Sequence, residues 1–155
     1  MSFLIACLSE NKGFLAGDRM RTYPDGSHEV SPTVKFHKLS PHLICGATGN
    51  NLVGQSMMAV ISGLFVGCNS LDDFELRLKF FRDAFAPIYE RIPKVEIEMC
   101  QGSGQLIGLI SSGDKMAIFS INHVPTKNNY EATLLRTTCM ICSNPDGNMG
   151  VLRIL

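Results

Sequence analysis

The spacing of apolar and polar positions changes several times along the chain, and each change marks a different kind of element. Residues 3 to 8 form a short apolar run, Ser-Glu-Asn-Lys-Gly at 9 to 13 carries turn chemistry, and 14 to 17 form a second apolar run closed by Asp18. That pattern predicts a β-hairpin. Residues 19 to 32 are polar and rich in turn formers, with Asp25-Gly26 as a turn signal. Alternation over 34 to 39 predicts a strand with Lys35 on the face opposite Val34 and Phe36. After Pro41 a second short strand runs over 42 to 47, and Thr48-Gly49-Asn50-Asn51 marks a turn.

From there the period becomes helical. Val53, Met57, Val60, Ile61 and Leu64 recur on one helix face. Ser70 opens a second helix with Asp72 and Asp73 in its first turn, where the helix dipole favours acids. Its apolar stripe (Phe74, Leu78, Phe81, Phe85, Ile88, Ile92) steps by four and three residues, the spacing of core packing. Pro87 predicts a kink or break near Ala86, and Pro93 predicts the end of the helix. From Val95 the strand pattern returns. Residues 105 to 111, a turn at Ser112-Gly113-Asp114 and residues 116 to 121 predict a second hairpin, with 106 to 110 apolar enough to be buried on both faces. Residues 124 to 130 read as a polar loop, 132 to 143 as one long strand, and 144 to 150 as a turn cluster before an apolar end.

Composition narrows the class. With 155 residues, 45% of them apolar, the chain suits one domain over 1 to 155 with a sizeable core. Fourteen basic and fourteen acidic residues balance, without a basic stripe, which argues against nucleic acid as a partner. No apolar run reaches the ~18 residues that span a bilayer, so no membrane segment is expected. Leu4-Ile5-Ala6-Cys7 has the form of a lipoprotein cleavage box, but no basic segment precedes it and its apolar run is short, so no leader is expected. Six cysteines sit mostly inside apolar runs without the spacing of a disulfide framework, which suits buried thiols in a reducing cytoplasm. Cys139-Met140-Ile141-Cys142 has redox or zinc spacing, yet it stands alone in a strand pattern, where residues three apart point to opposite faces. The four histidines show no ligand spacing, so no metal or cofactor is expected.

The chemistry-bearing stretch is the beginning of the chain. Removal of Met1, which a small second residue generally permits, leaves Ser2 with its hydroxyl and a free α-amine on one residue. An α-amine has a pKa near ~7.7 to 8.0, so part of it is neutral at physiological pH and can take the hydroxyl proton during attack on a carbonyl. A retained Met1 blocks that amine.

Ser2, the hairpin, Ala16-Gly17-Asp18, the polar segment 22 to 26, Val34-Lys35-Phe36 and the Gly49 region together resemble the N-terminal half of proteasome β-type subunits. The likeness is nearest to the bacterial ATP-dependent protease peptidase subunit of the same fold. It covers residues 2 to 66, is fainter from 105 to 122, and stops there. What the resemblance implies is an α+β Ntn-hydrolase (N-terminal nucleophile) fold, two stacked antiparallel sheets flanked by helices. It implies a peptidase or amidase in which Ser2 attacks, Asp18 and Lys35 assist the nucleophile, the Gly49 N–H binds the oxyanion, and Thr22 presents backbone bonds to an extended peptide. Serine stands where the nearest relatives carry threonine, and no auxiliary serine is assigned, because Gly102-Ser103-Gly104 comes before the second hairpin rather than after it.

The family continues for two further helices and two strands, so part of one helical layer is expected to be missing here, baring one sheet face. Another subunit or a rearranged sandwich should cover it, and the expected partners are a peptide or protein substrate, identical copies in a homo-oligomer such as a ring, and an ATPase. Two other readings stay open. One is a non-catalytic subunit that keeps the fold for assembly or partner binding, and the other an unrelated small-molecule-binding α/β domain.

Overall fold

The first hairpin forms as its pattern predicts. Strands β1 (Leu4–Ser9) and β2 (Lys12–Gly17) pair antiparallel from Leu4 opposite Gly17 to Ser9 opposite Lys12. The computed structural model describes residues 3–10, 12–22, 25, 27–30, 35–68, 70–98, 102–125, 129–143 and 149–153. After the hairpin come β3 (Met20–Thr22), β4 (His28–Val30), β5 (Phe36–Ser40) and β6 (Leu43–Gly49), then helices α1 (Asn51–Phe65), α2 (Leu71–Leu78), α3 (Phe81–Tyr89) and the short α4 (Lys94–Glu98). The chain finishes with β7 (Gly104–Ser112), β8 (Lys115–Val124), β9 (Asn129–Leu135), β10 (Cys139–Ser143) and β11 (Met149–Arg153).

These strands make two antiparallel sheets, β11-β10-β1-β2 and β5-β6-β7-β8-β9, with β3-β4 as a separate ribbon. Alternation explains how they stack. Leu4, Ala6 and Leu8 are buried on β1 and meet Ile107, Leu109 and Ile118 of the five-stranded sheet in a small inter-sheet core. The opposite face of that sheet turns Cys45, Leu106, Ile110, Phe119 and Ile121 toward Val53, Met57, Ile61, Phe74 and Phe85 of the helices, forming the larger core. Residues 104 to 110 are therefore buried on both faces, as the apolar run predicted. Gly108 is required there, because a Cβ would stand 2.3 Å from the Phe119 ring that fills the space.

Three expectations are corrected. The long amphipathic helix breaks at Lys79 and Phe80, not at Pro87. The Lys79 and Phe80 N–H groups donate to the Leu76 and Arg77 carbonyls, a tight turn that redirects the chain. Phe81 and Phe85 then stack at 5.4 Å inside the core while Phe80 stays exposed. Pro87 is carried within α3, and the next turn closes where Glu90 N–H donates to the Ala86 carbonyl.

Pro93 begins an element instead of ending one. Ile97 N–H donates to its carbonyl, and 94 to 98 are helical where strand was expected. Third, the long strand over 132 to 143 is two strands in different sheets: β9 runs beside β8, and β10 crosses over to pair with β1. The polar step Arg136-Thr137-Thr138 interrupts the apolar pattern at that crossing, and Arg136 is held there by Asp72 and Glu75 of α2.

The hairpin sheet thus gains its third and fourth strands from this chain's own end. The helices α1 to α3 all lie on the far side of the other sheet, so part of one helical layer is missing among the described residues. On the outer face of the hairpin sheet stand Ile5, Cys7, Phe14, Ala16 and Cys142, with Phe14 58% exposed. No helix among the described residues is long and apolar enough to cross a membrane.

Candidate functional site

The two sheets are tied together at the end where β1 begins. Asp18 follows β2, and its backbone N–H donates to the Phe3 carbonyl at 3.1 Å, locking the residue before β1 to the residue after β2. Lys35 lies at the bend just before β5, so strand alternation does not set its direction. Its ammonium forms an ion pair with the Asp18 carboxylate, with the lysine side chain 15% and the aspartate side chain 34% exposed. The pair therefore links the end of a strand of one sheet to the beginning of a strand of the other. The structure brings together two of the five residues singled out from sequence.

Gly49 ends β6 opposite Gly104, at the strand-to-helix turn where it was expected. Its φ is +93°, and a Cβ would fall 2.4 Å from the Ser103 carbonyl oxygen, so only glycine fits. Asn50 N–H donates to that same carbonyl at 2.8 Å. By the alternation of an antiparallel ladder, the Gly49 N–H then turns away from β7, toward the side where β5 begins only opposite Gly46. The Lys35 carbonyl lies beside Gly46. Gly49 lies three residues beyond Gly46, about 10 Å farther along the strand than the point where the Lys35 backbone approaches it.

Asn50 holds the turn from the helix side. Its Oδ1 accepts the Leu52 and Val53 N–H groups at 3.0 and 3.2 Å and caps α1. Ser103 thereby serves the same turn through its backbone. Thr22 ends β3 opposite His28 of the ribbon, outside both sheets. Ser2 and Met1 lie outside the described residues. On β10, Cys139 is buried and Cys142 half-buried, as their opposite faces require.

Pattern reading missed a polar row. Thr48, Gln105 and Asn122 are cross-strand neighbours on β6, β7 and β8, on the inter-sheet face and at the end that holds Asp18 and Lys35. Gln105 is 3% exposed, and neither atom of its amide makes a hydrogen bond. The signal was present as two amides flanking apolar strand centres at inward positions, but hairpin ends are commonly polar. His123 was also missed. On the helix face it stacks on Tyr130 at 4.6 Å and meets Tyr89 edge-on at 4.3 Å, and burial pushes its imidazole down to about 4.

Two cavities, of about 380 and 330 Å³, lie elsewhere: one between the α2–α3 corner and β9, the other at the far end of the sandwich near Gly13, His42 and Met116.

Comparison with known proteins gives no match to a protein family from sequence and none to a curated protein. Solved structures do match. Anbu (ancestral beta-subunit) from Yersinia bercovieri aligns over 93% of this chain and 60% of its own, with a TM-score of 0.58 and 13% identity. Anbu from Hyphomicrobium sp. strain MC1 aligns over 92% and 60%, at 0.57 and 12%. Eukaryotic HslV from Trypanosoma brucei aligns over 84% and 70%, at 0.49 and 15%.

The chain has the proteasome-like fold. It spans 60% of the length of either Anbu structure, and at these identities the likeness is one of fold. Within the proteasome-like fold, the stronger part of the sequence resemblance falls on β1 through α1 and the fainter part on β7 and β8. Where the resemblance stops, β10 and β11 still return to complete the hairpin sheet of the proteasome-like fold.

Proposed function

We propose that this chain is an N-terminal-nucleophile hydrolase, a peptidase or amidase in which Ser2, freed of Met1, attacks a carbonyl with its own α-amine as base. The observation that carries this reading is the Lys35–Asp18 ion pair, set between the sheets at the end where β1 starts. The Asp18 N–H bond to the Phe3 carbonyl keeps the start of β1 beside that pair, and Ser2 is one peptide unit from Phe3.

In this mechanism the Ser2 hydroxyl proton passes to the α-amine as the oxygen adds to the carbonyl. Lys35 faces the developing negative charge, Asp18 orients Lys35, and the Gly49 N–H donates to the oxyanion. The resulting ammonium returns the proton to the leaving amine, and water then releases the acyl group from Ser2 by the reverse sequence. An extended peptide would lie along β3, with the backbone at Thr22 supplying strand-like hydrogen bonds.

The reading brings the partners of such enzymes with it: a peptide or protein substrate, identical copies of this chain in a ring or other closed assembly, an ATPase that delivers substrate, and a cytoplasmic setting. The Anbu structures are named for a β-subunit, which supports assembly of copies.

A second reading is a non-catalytic subunit of the same fold, which follows where Met1 is retained and blocks the Ser2 amine.

Intact mass of protein made without an N-terminal tag, followed by a covalent inhibitor directed at an N-terminal amine and hydroxyl, separates the two. Loss of Met1 with an adduct that disappears in Ser2→Ala is the hydrolase outcome. A chain that keeps Met1 and stays unmodified overturns it in favour of the assembly subunit.

A further inference from the structure

The gap between the sheets has two ends, and the one away from Asp18 and Lys35 opens on the cavity of about 330 Å³. Its walls come from both sheets. Gly13 of the first hairpin lies so close over β7 that a Cβ there would stand 2.9 Å from Leu109, and Ile44, Leu109 and Met116 give the cavity an apolar floor. Its volume is at the small end of the ~300 to 1,000 Å³ usual for ligand sites.

Polar groups converge on this floor from β5, from β7 and from the turn between β5 and β6. Lys38 is two residues beyond Phe36, which packs in the inter-sheet core, and it pairs across the ladder with Ile44, so alternation turns it to the same face. Ser111 stands in the same relation to Leu109 on β7. His42 ties these positions together. Its Nδ1 lies 3.4 Å from the Ser111 Oγ, its carbonyl accepts the Ser111 N–H at 2.9 Å, and its own N–H donates to the Ser40 Oγ at 3.1 Å. The Ser40 hydroxyl thus serves the turn as an acceptor and keeps its hydrogen for another partner.

Lys38, Ser40, His42 and Ser111 all line the cavity, and none of the described residues that line it is acidic. Lys38 forms no ion pair among the described residues. An inward lysine on an edge strand serves by itself to keep foreign strands away. That role requires neither a cavity nor the hydroxyls and imidazole gathered beside the ammonium.

We propose that this cavity binds a small amphipathic anion, an oxyanion head group carried on a compact apolar body such as one aromatic ring. Lys38 supplies the charge, the Ser40 and Ser111 hydroxyls donate to the head group, and His42 fixes both serines. The apolar body lies on Leu109 and Met116. A carboxylate and a phosphate share this chemistry. The site is at the opposite end of the sandwich from the Lys35–Asp18 pair and stands apart from the hydrolase reading.

The test is NMR titration of the full chain with phenyl phosphate, benzoate and uncharged benzyl alcohol, read at the Met116 methyl and the Ser111 amide. Both anions are expected to shift these signals saturably, with dissociation constants of ~1 mM, and benzyl alcohol to bind at least ~10-fold more weakly. The tighter of the two anions identifies the head group. Lys38→Met is expected to weaken both anions at least ~10-fold and leave benzyl alcohol unchanged. Lys79→Met, at the other cavity, is expected to change nothing. Lys38 is exposed, so the variant should keep the wild-type circular dichroism. If it does not, Ser111→Ala takes its place, with an expected loss of at least ~3-fold.

No saturable shift at ~20 mM anion, benzyl alcohol binding as tightly as the anions, or Lys38→Met binding like the wild type overturns the site and leaves Lys38 as a guard of the β5 edge. Equal weakening by Lys79→Met overturns it too, because the anions would then be following surface charge in general.

Discussion

Lys35 shows what a single residue's placement can and cannot reveal. On a strand it would be an ordinary solvated lysine, but it sits before β5, where the bend lets its ammonium cross the inter-sheet gap to Asp18. Under the hydrolase reading, Lys35→Met keeps the length of the side chain and removes its charge. Covalent labelling of Ser2 is then expected to slow by at least ~100-fold, the scale of losing one group aimed at developing charge. The melting temperature should move by a few degrees at most, because the Asp18 carboxylate, about a third exposed, stays hydrated when the lysine charge is removed. Labelling at the wild-type rate would remove Lys35 from the mechanism.

His123 is the converse case, since its surroundings come from three separate elements and no local pattern marks it. Its imidazole is 2% exposed, makes no hydrogen bond through either nitrogen, and is pressed among Phe85, Tyr89 and Tyr130. Burial lowers its folded-state pKa from 6.5 to about 4. Above pH 6.5 the ring is neutral in both folded and unfolded chains and costs nothing. As pH falls from 6.5 toward 4 the unfolded chain takes up a proton that the folded chain refuses, so stability is lost through that window, in total about 3 kcal/mol. Urea titrations from pH 7 to pH 4 should show this slope, and His123→Phe should flatten it. A slope unchanged in the variant would place the acid sensitivity elsewhere.

At the scale of elements, the sequence is most legible where a local cause acts alone. Ser70 caps α2 as read, its hydroxyl accepting the Asp73 N–H at 3.0 Å, and both hairpins stand where alternation and turn residues put them. Errors arise where tertiary packing chooses between local options. Pro87 removes one hydrogen bond, a cost that α3 absorbs, whereas the break at Lys79 and Phe80 lets Phe81 and Phe85 turn into the core. Likewise the split of 132 to 143 depends on β1 offering a free side for β10, which no window of a dozen residues contains.

The turn that carries Gly49 depends on one cap. Asn50 is 6% exposed and satisfies two N–H groups of α1. Asn50→Ala is expected to cost about 1 to 2 kcal/mol, or roughly 2 to 8 °C in melting temperature for a chain of this size. Asn50→Asp should recover most of that, because a carboxylate accepts the same N–H groups and is favoured at a helix N-terminus. If the aspartate variant melts as low as the alanine one, the amide contributes through a contact other than the cap.

Across the whole molecule the two cores are unequal, and the smaller one carries the element from which the chemistry is proposed. The five-stranded sheet is packed on both faces, by α1, α2 and α3 on one side and by the hairpin sheet on the other. Among the described residues the hairpin sheet is backed on one face only, through Leu4, Ala6, Leu8 and Cys139, while Phe14 stands exposed on its other face. The resemblance made this asymmetry legible in outline, as a missing helical layer. The identity of the bare face required the sheet order, because β10 and β11 had to be placed beside β1 before one could see which side they left open.

Sub-global opening follows buried apolar contact. Amides of β1, β2 and β10 should therefore exchange with solvent at least ~10-fold faster than those of β6, β7 and β8, through an opening that releases the hairpin sheet while the helix-backed sheet stays folded. Hydrogen exchange followed by mass spectrometry under native conditions measures this directly. If a copy covers the face bearing Ile5, Cys7 and Phe14, the same experiment should show β1 and β2 slowing with concentration, and Phe14→Asp should abolish that protection. Equal exchange in both sheets at every concentration would mean that the two cores open as one unit, and that the inter-sheet contacts, Lys35–Asp18 among them, hold the hairpin as firmly as the helices hold β7.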